Sequence, residues 1–250
     1  MDRVDTKFLV PSAMVRGLLS ELKAHCSVLS VAGRRISHYR THYYDSPDLR
    51  FYHSHHNGVL NRYKVRCRTY VEQRSSFLEV KRKNSKGRTF KRRVAVSEAG
   101  LSAIDANGAF LRSCGVSRVE ELIDTLRCDY DRVALASEAT GERLTIDFNI
   151  SFRDLHSQHR VVVADLVVVE LKQNTLNWSS TLFKVFRRQR LRPCSFNKYC
   201  IGLCLLRNPM LKTNRFKETL LKIERHQAMH ARDSHEMSSA VLSLRGQLSV

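Results

Sequence analysis

The chain has 250 residues, 42% hydrophobic and 27% charged, which excludes a disordered polymer and allows one sizeable core without disulfides or structural metal. Its 43 Lys and Arg against 24 Asp and Glu give a formal charge of +19, so an acidic partner is implied: nucleic acid, anionic lipid or phosphates. No run approaches the ~20 apolar residues of a membrane span, and the first ten residues carry charges where a secretory leader would be apolar; a cytoplasmic protein with no transmembrane segment is expected.

In chain order, Val4 to Val10 reads as a strand, followed by a helix to about His25 with Ser12 as its N-cap and Leu18, Leu19 and Leu22 at helical spacing. Ser37 to Tyr44 is a strand closed by the turn Asp45-Ser46-Pro47-Asp48. Further strands are expected over 58–71, 76–83 and 89–96, with turn residues at 84–87 between the last two. Residues 97–126 read as helical in pieces, broken at Asn107-Gly108 and Gly115. Strands return at 128–136 and 143–152 across a turn at 139–142, then at 161–172, before helices at 179–189 and 196–206. Asn208-Pro209 marks a boundary, so 1–207 is expected to be the domain and 208–250 a basic extension, first a surface helix and then disordered. The seven cysteines form no Cys-x-x-Cys and lie largely in apolar runs, as buried free thiols do.

Side chains two apart on a strand share a face. On that rule Arg3, Asp5 and Lys7 align, as do Arg62, Lys64, Arg66 and Arg68, then Glu79, Lys81 and Lys83, and also Lys91 with Arg93. Tyr130 aligns with Arg132, Arg143 with Thr145 and Asp147, and Glu170 with Lys172. One such face is ordinarily a solvated sheet surface. Repeated over at least five strands with bases in excess, the faces are explained by convergence on a polyanion, with carboxylates left over for a divalent cation. The order of elements gives the expected fold class as α+β, with about eight strands and helices packed outside.

The ordered set Arg3-x-Asp5-x-Lys7-Phe8, Tyr43-Tyr44-Asp45, Lys64-x-Arg66-x-Arg68, Phe77 to Lys83, Lys91-x-Arg93, Tyr130-x-Arg132, Arg143-x-Thr145-x-Asp147, Val169 to Lys172 and Ser195 to Tyr199 resembles the vacuolar-transporter-chaperone polyphosphate polymerase domain, of the triphosphate tunnel metalloenzyme superfamily. The resemblance spans about Arg3 to Leu206. It implies a closed tunnel of about eight antiparallel strands with a charged lumen, and transfer of the γ-phosphoryl group of ATP to a growing polyphosphate chain, with Mn²⁺ or Mg²⁺ as cofactor. By the same resemblance Arg66, Arg68, Lys81, Arg132, Arg143 and Lys198 form the catalytic set. Lys7, Lys64, Lys91, Arg93, Tyr130 and Ser195 would bind phosphate. Glu170 would hold the metal, with Glu79, Asp147 and Asp5 as secondary candidates. Relative to the superfamily's hydrolases, Arg3 replaces the first Glu of a Glu-x-Glu-x-Lys opening, which points to the polymerase branch. Asp5 is one methylene shorter than that branch's Glu, and Ser195 and Asn197 stand where its eukaryotic members carry Lys and Ser.

The alternatives are a triphosphate hydrolase of the same fold and a non-catalytic module that binds polyphosphate or inositol phosphates. Specific nucleic-acid binding rests on charge alone and is not expected; a membrane or protein partner is undefined. The run His53-Ser54-His55-His56 has no zinc-ligand spacing and is expected to be a loop.

Overall fold

A computed structural model describes residues 4–85, 88–97, 99–207 and 209–232, with only the backbone of 229–232. Arg3, part of the turn at 84–87 and the tail beyond 232 therefore lie outside the described residues.

The strands are β1 (Val4–Pro11), β2 (Ser27–Val28), β3 (Ile36–Asp45), β4 (Arg62–Tyr70), β5 (Ser75–Lys83), β6 (Thr89–Val96), β7 (Ile123–Ala136), β8 (Arg143–Asp154), β9 (Arg160–Val162), β10 (Leu166–Gln173) and β11 (Pro193–Cys194). The helices are α1 (Ser12–Leu22), α2 (Arg50–His56), α3 (Leu101–Asp105), α4 (Gly108–Ser113), α5 (Thr181–Arg188), α6 (Lys198–Arg207) and α7 (Lys217–Arg232). All strands join one antiparallel sheet with the path β11-β1-β10-β8-β7-β3-β4-β5-β6, from which β2 and β9 branch. The fold is α+β as expected, but the closed barrel is corrected: among the described residues no ladder joins β6 to β11, so the hydrogen-bonded path is open.

The sheet nonetheless curls until its two ends face each other. Lys64 Nζ on β4 donates to Asn197 Oδ1 at 2.7 Å, and Lys7 Nζ on β1 donates to the Phe196 carbonyl at 2.7 Å. Side chains from the β11–α6 segment thus span the seam that main-chain bonds leave open. Lys81 on β5 lies within electrostatic reach of Glu170 on β10 and Asp5 on β1.

Three apolar clusters hold this shape. Phe8, Val10, Leu144, Ile146, Phe148, Val167 and Val169 project from the convex side onto α1 and α5, where Phe8 stacks on Phe186 with ring centroids 4.2 Å apart. Val65, Cys67, Leu78 and Val80 face α3 and α4 through Ile104 and Leu111. The third cluster lies on the concave side. There α6 packs Tyr199, Cys200, Ile201, Leu203 and Cys204 onto Tyr43, Leu126, Cys128, Ile150, Phe152 and Val168. The approach is close: a Cβ at Gly202 would lie 2.6 Å from Phe152 and 2.9 Å from Leu126. Phe216, Leu220 and Ile223 join this cluster, so α7 is anchored through its apolar stripe rather than merely resting on the surface.

Several local expectations change. Ser12 opens α1 without capping it, since Pro11 occupies the N-cap position with no side-chain bond. The histidine run belongs to α2, where His55 Nε2 meets the Tyr63 carbonyl at 3.2 Å and burial pulls its pKa down to about 3. Residues 123–126, expected helical, already belong to β7, whose pairing with β3 outweighs local propensity. The single run 161–172 divides into β9 and β10 around Asp165, which has φ +55°.

Candidate functional site

The register places the alternating charged positions on the concave face. Lys7 pairs with Glu170 and Glu170 with Thr145; Asp5 pairs with Lys172 and Lys172 with Arg143. Arg132 lies opposite Asp147, Arg66 opposite Glu79, Lys64 opposite Lys81, and Lys91 and Arg93 opposite Lys81 and Glu79. Partners in an antiparallel ladder point to the same side, so these residues share one surface. Lys198 enters it from the N-terminus of α6, an end whose free N–H groups favour anions.

Each carboxylate here is ringed by cations. Asp147, 2% exposed, receives a two-pronged Arg132 fork at 2.5 and 2.7 Å and a bond from Lys198. Burial would raise its pKa, but Arg132 and Lys198 overcome that and hold it well below the carboxylate range. Glu79, fully buried, takes Arg66 at 2.6 and 2.7 Å and Lys91 on its other oxygen. Against its desolvation, Arg66, Arg68 and Lys91 bring its pKa down to about 2. Glu170 differs. It is 16% exposed, among the described residues no Arg fork grips it, and its partners there are Lys172 and, at 4.0 Å, Lys7.

The cations bear the cost of the crowding. Burial, with neighbouring Lys and Arg charges, lowers the pKa of Lys7 and lowers that of Lys64 strongly; Lys81 falls to about 8. An aromatic floor lies beneath them: Tyr39 and Tyr130 stack at 5.1 Å, the Arg132 guanidinium is 5.3 Å from the Tyr130 centroid, and Lys198 Nζ is 4.5 Å from it.

Several buried donors on this face lack any hydrogen-bond partner among the described residues: Arg68 Nε, Tyr130 Oη, Thr41 Oγ1 and Thr145 Oγ1. Buried polar groups are ordinarily paired, so each unpaired one calls for a ligand. Four unpaired groups on one cation-lined surface match an acceptor-rich polyanion.

The structure thus gathers Lys7, Lys64, Arg66, Arg68, Lys81, Lys91, Tyr130, Arg132, Lys198, Asp5, Glu79, Asp147 and Glu170 on one surface. Arg143 is exposed at the rim, and Arg93, also exposed, lies 4.7 Å over the Phe77 ring on edge strand β6. Ser195 stands apart: it is exposed, and its carbonyl accepts from Thr219 of α7. Tyr39, Thr41 and Asn197 complete the surface without having been expected there as site residues. Only register, not charge, marks the first two. Of the Tyr43-Tyr44-Asp45 motif, Tyr44 and Asp45 are structural. Asp45 accepts from the backbone N–H groups of Ser46, Phe51 and Tyr52 at 2.8 to 2.9 Å and from the Tyr199 hydroxyl, tying α2 to α6; Tyr44 Oη bonds Gly100.

Among the described residues no three His, Cys, Asp or Glu side chains cluster as a self-sufficient metal site. Mg²⁺ and Mn²⁺ need no such cage, since one or two carboxylates with substrate phosphate oxygens suffice. Glu170, partly exposed and free of an Arg fork, fits that role. Glu79 and Asp147 have both oxygens occupied by protein cations.

A curled antiparallel sheet with this charged concave face defines a class of protein built to face an anion. Among solved structures, a proposed adenylate cyclase from Bacillus halodurans superimposes with TM-score 0.53 at 13% identity, over 79% of this chain and 96% of its own. A proposed adenylyl cyclase from Hippeastrum with a dominant triphosphatase activity superimposes with TM-score 0.50 at 14% identity, over 84% and 98%. No curated protein sequence matches the chain significantly. Residues 2–207 match the VTC domain, and the chain belongs to that family.

Proposed function

We propose that the protein is an ATP-dependent polyphosphate polymerase. The observation that carries this reading is the set of unpartnered buried donors at Arg68, Tyr130, Thr41 and Thr145 within a surface of excess positive charge. A phosphate chain offers acceptor oxygens at short intervals and satisfies them together, whereas one small anion reaches only one or two. Arg3 in the place of the hydrolases' first Glu supports chain extension over hydrolysis.

In this reading Lys7, Lys64, Arg66, Arg68, Lys81 and Lys91 hold the triphosphate of ATP, with Arg132 and Lys198 near the reacting phosphoryl group. A terminal oxygen of the acceptor chain attacks the γ-phosphorus, the bond from γ-phosphorus to the bridging oxygen breaks, and ADP leaves with that oxygen. No covalent enzyme intermediate is needed, because alignment and charge neutralisation supply the catalysis. Glu170 would hold Mn²⁺ or Mg²⁺, which when bound neutralises charge on the phosphate oxygens. Glu79 and Asp147 fix Arg66 and Arg132 in place. Arg143 and Arg93 guide the chain at the rim. An ATP-consuming site and free cysteines suit the cytoplasm.

Incubation with ATP and Mn²⁺ is expected to yield ADP and long polyphosphate in step. Equimolar ADP and orthophosphate without polymer would replace this reading with triphosphate hydrolysis, the activity described for the Hippeastrum neighbour. Binding of polyphosphate with no turnover under either metal would leave a non-catalytic module.

A further inference from the structure

The convex face of β3, β7, β8 and β9 carries a second charged surface. In register across β7, β8 and β9 stand Arg127, Arg153 and Arg160, and opposite Arg127 on β3 lies His42, which bonds Asp124 at 2.7 Å. Cations directly opposite one another repel, and a sheet that serves only for folding would alternate their sign. Beside this row lies a cavity of about 220 Å³ lined by Arg40, Arg127, Asp129, Ser151, Arg153 and Arg160, with His38 at its edge.

Compensation among the described residues is partial. Asp129 accepts from Arg127 at 2.7 Å and from Arg40 at 3.2 Å, which orients both guanidiniums around the cavity. Arg160 reaches only the Ser151 hydroxyl, at 3.4 Å, and Arg153 has no ion-pair partner among the described residues. Four guanidiniums and Asp129 line the cavity and Asp131 lies next to it, bonded to His38 at 2.9 Å, so four cations against two carboxylates leave an excess of about two positive charges. The concave site lies on the other side of the same strands, where Tyr39, Thr41, Cys128 and Tyr130 point.

We propose that this convex cavity is a second anion site, which takes a compact ligand bearing several phosphate groups. The Arg row spans three adjacent strands at roughly 5 Å per step, so one phosphate group per guanidinium is the natural match. A cavity of this size admits a short phosphate array rather than a single small ion. The site is independent of what the concave face does.

Tripolyphosphate titrated calorimetrically into the full chain is the probe. The double variant Arg153→Thr/Arg160→Thr is expected to lose one bound tripolyphosphate per chain, while Arg68→Gln/Lys81→Met on the concave face leaves that convex site intact. Both convex positions are solvent-accessible, so the variant should fold. Removing like charges should raise its melting temperature without ligand, and tripolyphosphate should stabilise it less than the parent. Unchanged stoichiometry and affinity in Arg153→Thr/Arg160→Thr would overturn the proposal. So would a convex site that orthophosphate at equal phosphorus concentration fills equally well.

Discussion

The two faces of one sheet use the same side chains to different ends. On the concave face, Arg66 and Arg132 are clamped by Glu79 and Asp147, which are 0% and 2% exposed, and lysines beside them lose part of their hold on a proton. On the convex face, Arg40 and Arg127 share the more exposed Asp129, and Arg153 has no ion-pair partner among the described residues. Burial makes the difference. A desolvated cation must be paired or must await a ligand, whereas a solvated one tolerates like-charged neighbours at small cost. The inner surface is therefore tightly paired at the cost of shifted pKa values, and the outer one is a looser electrostatic cradle.

The largest effect expected is on turnover: Glu170→Gln should reduce ATP consumption by on the order of 100-fold. Metal-free binding of tripolyphosphate should be retained or tightened, because a negative charge leaves the surface. If turnover survived, Glu170 would be excluded from the reaction.

Arg132→Ala strands Asp147 with Lys198 alone, and should cost about 3 kcal/mol of stability by urea unfolding. The same truncation at convex Arg153 should cost nothing, and equal losses at the two positions would erase the contrast between the faces. Gly202→Ala forces α6 away from Phe152 and Leu126 and should cost about 2 kcal/mol while weakening phosphate binding through displaced Lys198. An unchanged affinity would show that α6 does not position the site.

Proton linkage separates the faces next. Lys81 has a folded pKa of about 8, lowered by burial and then by Arg66 from its ordinary 10.5. Between those values the unfolded chain binds more protons, so its contribution to stability rises with pH from about 8 towards 10.5. Phosphate affinity runs the opposite way, falling several-fold as the ammonium is lost above about 8. Lys81→Met should flatten both trends, and a profile identical to the parent's would remove Lys81 from the site. Smallest of all, Arg153→Thr should raise the melting temperature by about 1–2 °C at low salt and by less at high salt.

The concave face was legible from the sequence because period-two alternation survives the whole length of β4, β5 and β10. Arg66, Glu79 and Glu170 lie where that period puts them. The convex cradle was not legible. A bulge near Asn149, which has φ +52°, reverses the alternation halfway along β8, so Ile150 and Phe152 turn inward to α6 while Ser151 and Arg153 turn outward. The open seam was hidden for a related reason: the bonds that span it come from Asn197 and the Phe196 carbonyl, which no strand pattern announces. Ser195 carries the right chemistry for phosphate but is exposed, and its carbonyl is held by Thr219 of α7, a segment beyond the family match.

The most direct test titrates tripolyphosphate into two proteins that share the convex substitutions Arg153→Thr/Arg160→Thr, one of them also carrying Arg68→Gln/Lys81→Met. Among the described residues Arg68 Nε has no hydrogen-bond partner, Lys81 is held at a lowered pKa, and Arg66 and Lys91 stay on Glu79, so the substituted protein should still fold. The first protein should bind one tripolyphosphate in a salt-dependent manner, and the second should bind it at least tenfold more weakly. Equal binding by both would contradict the assignment of the concave face as a phosphate-chain site.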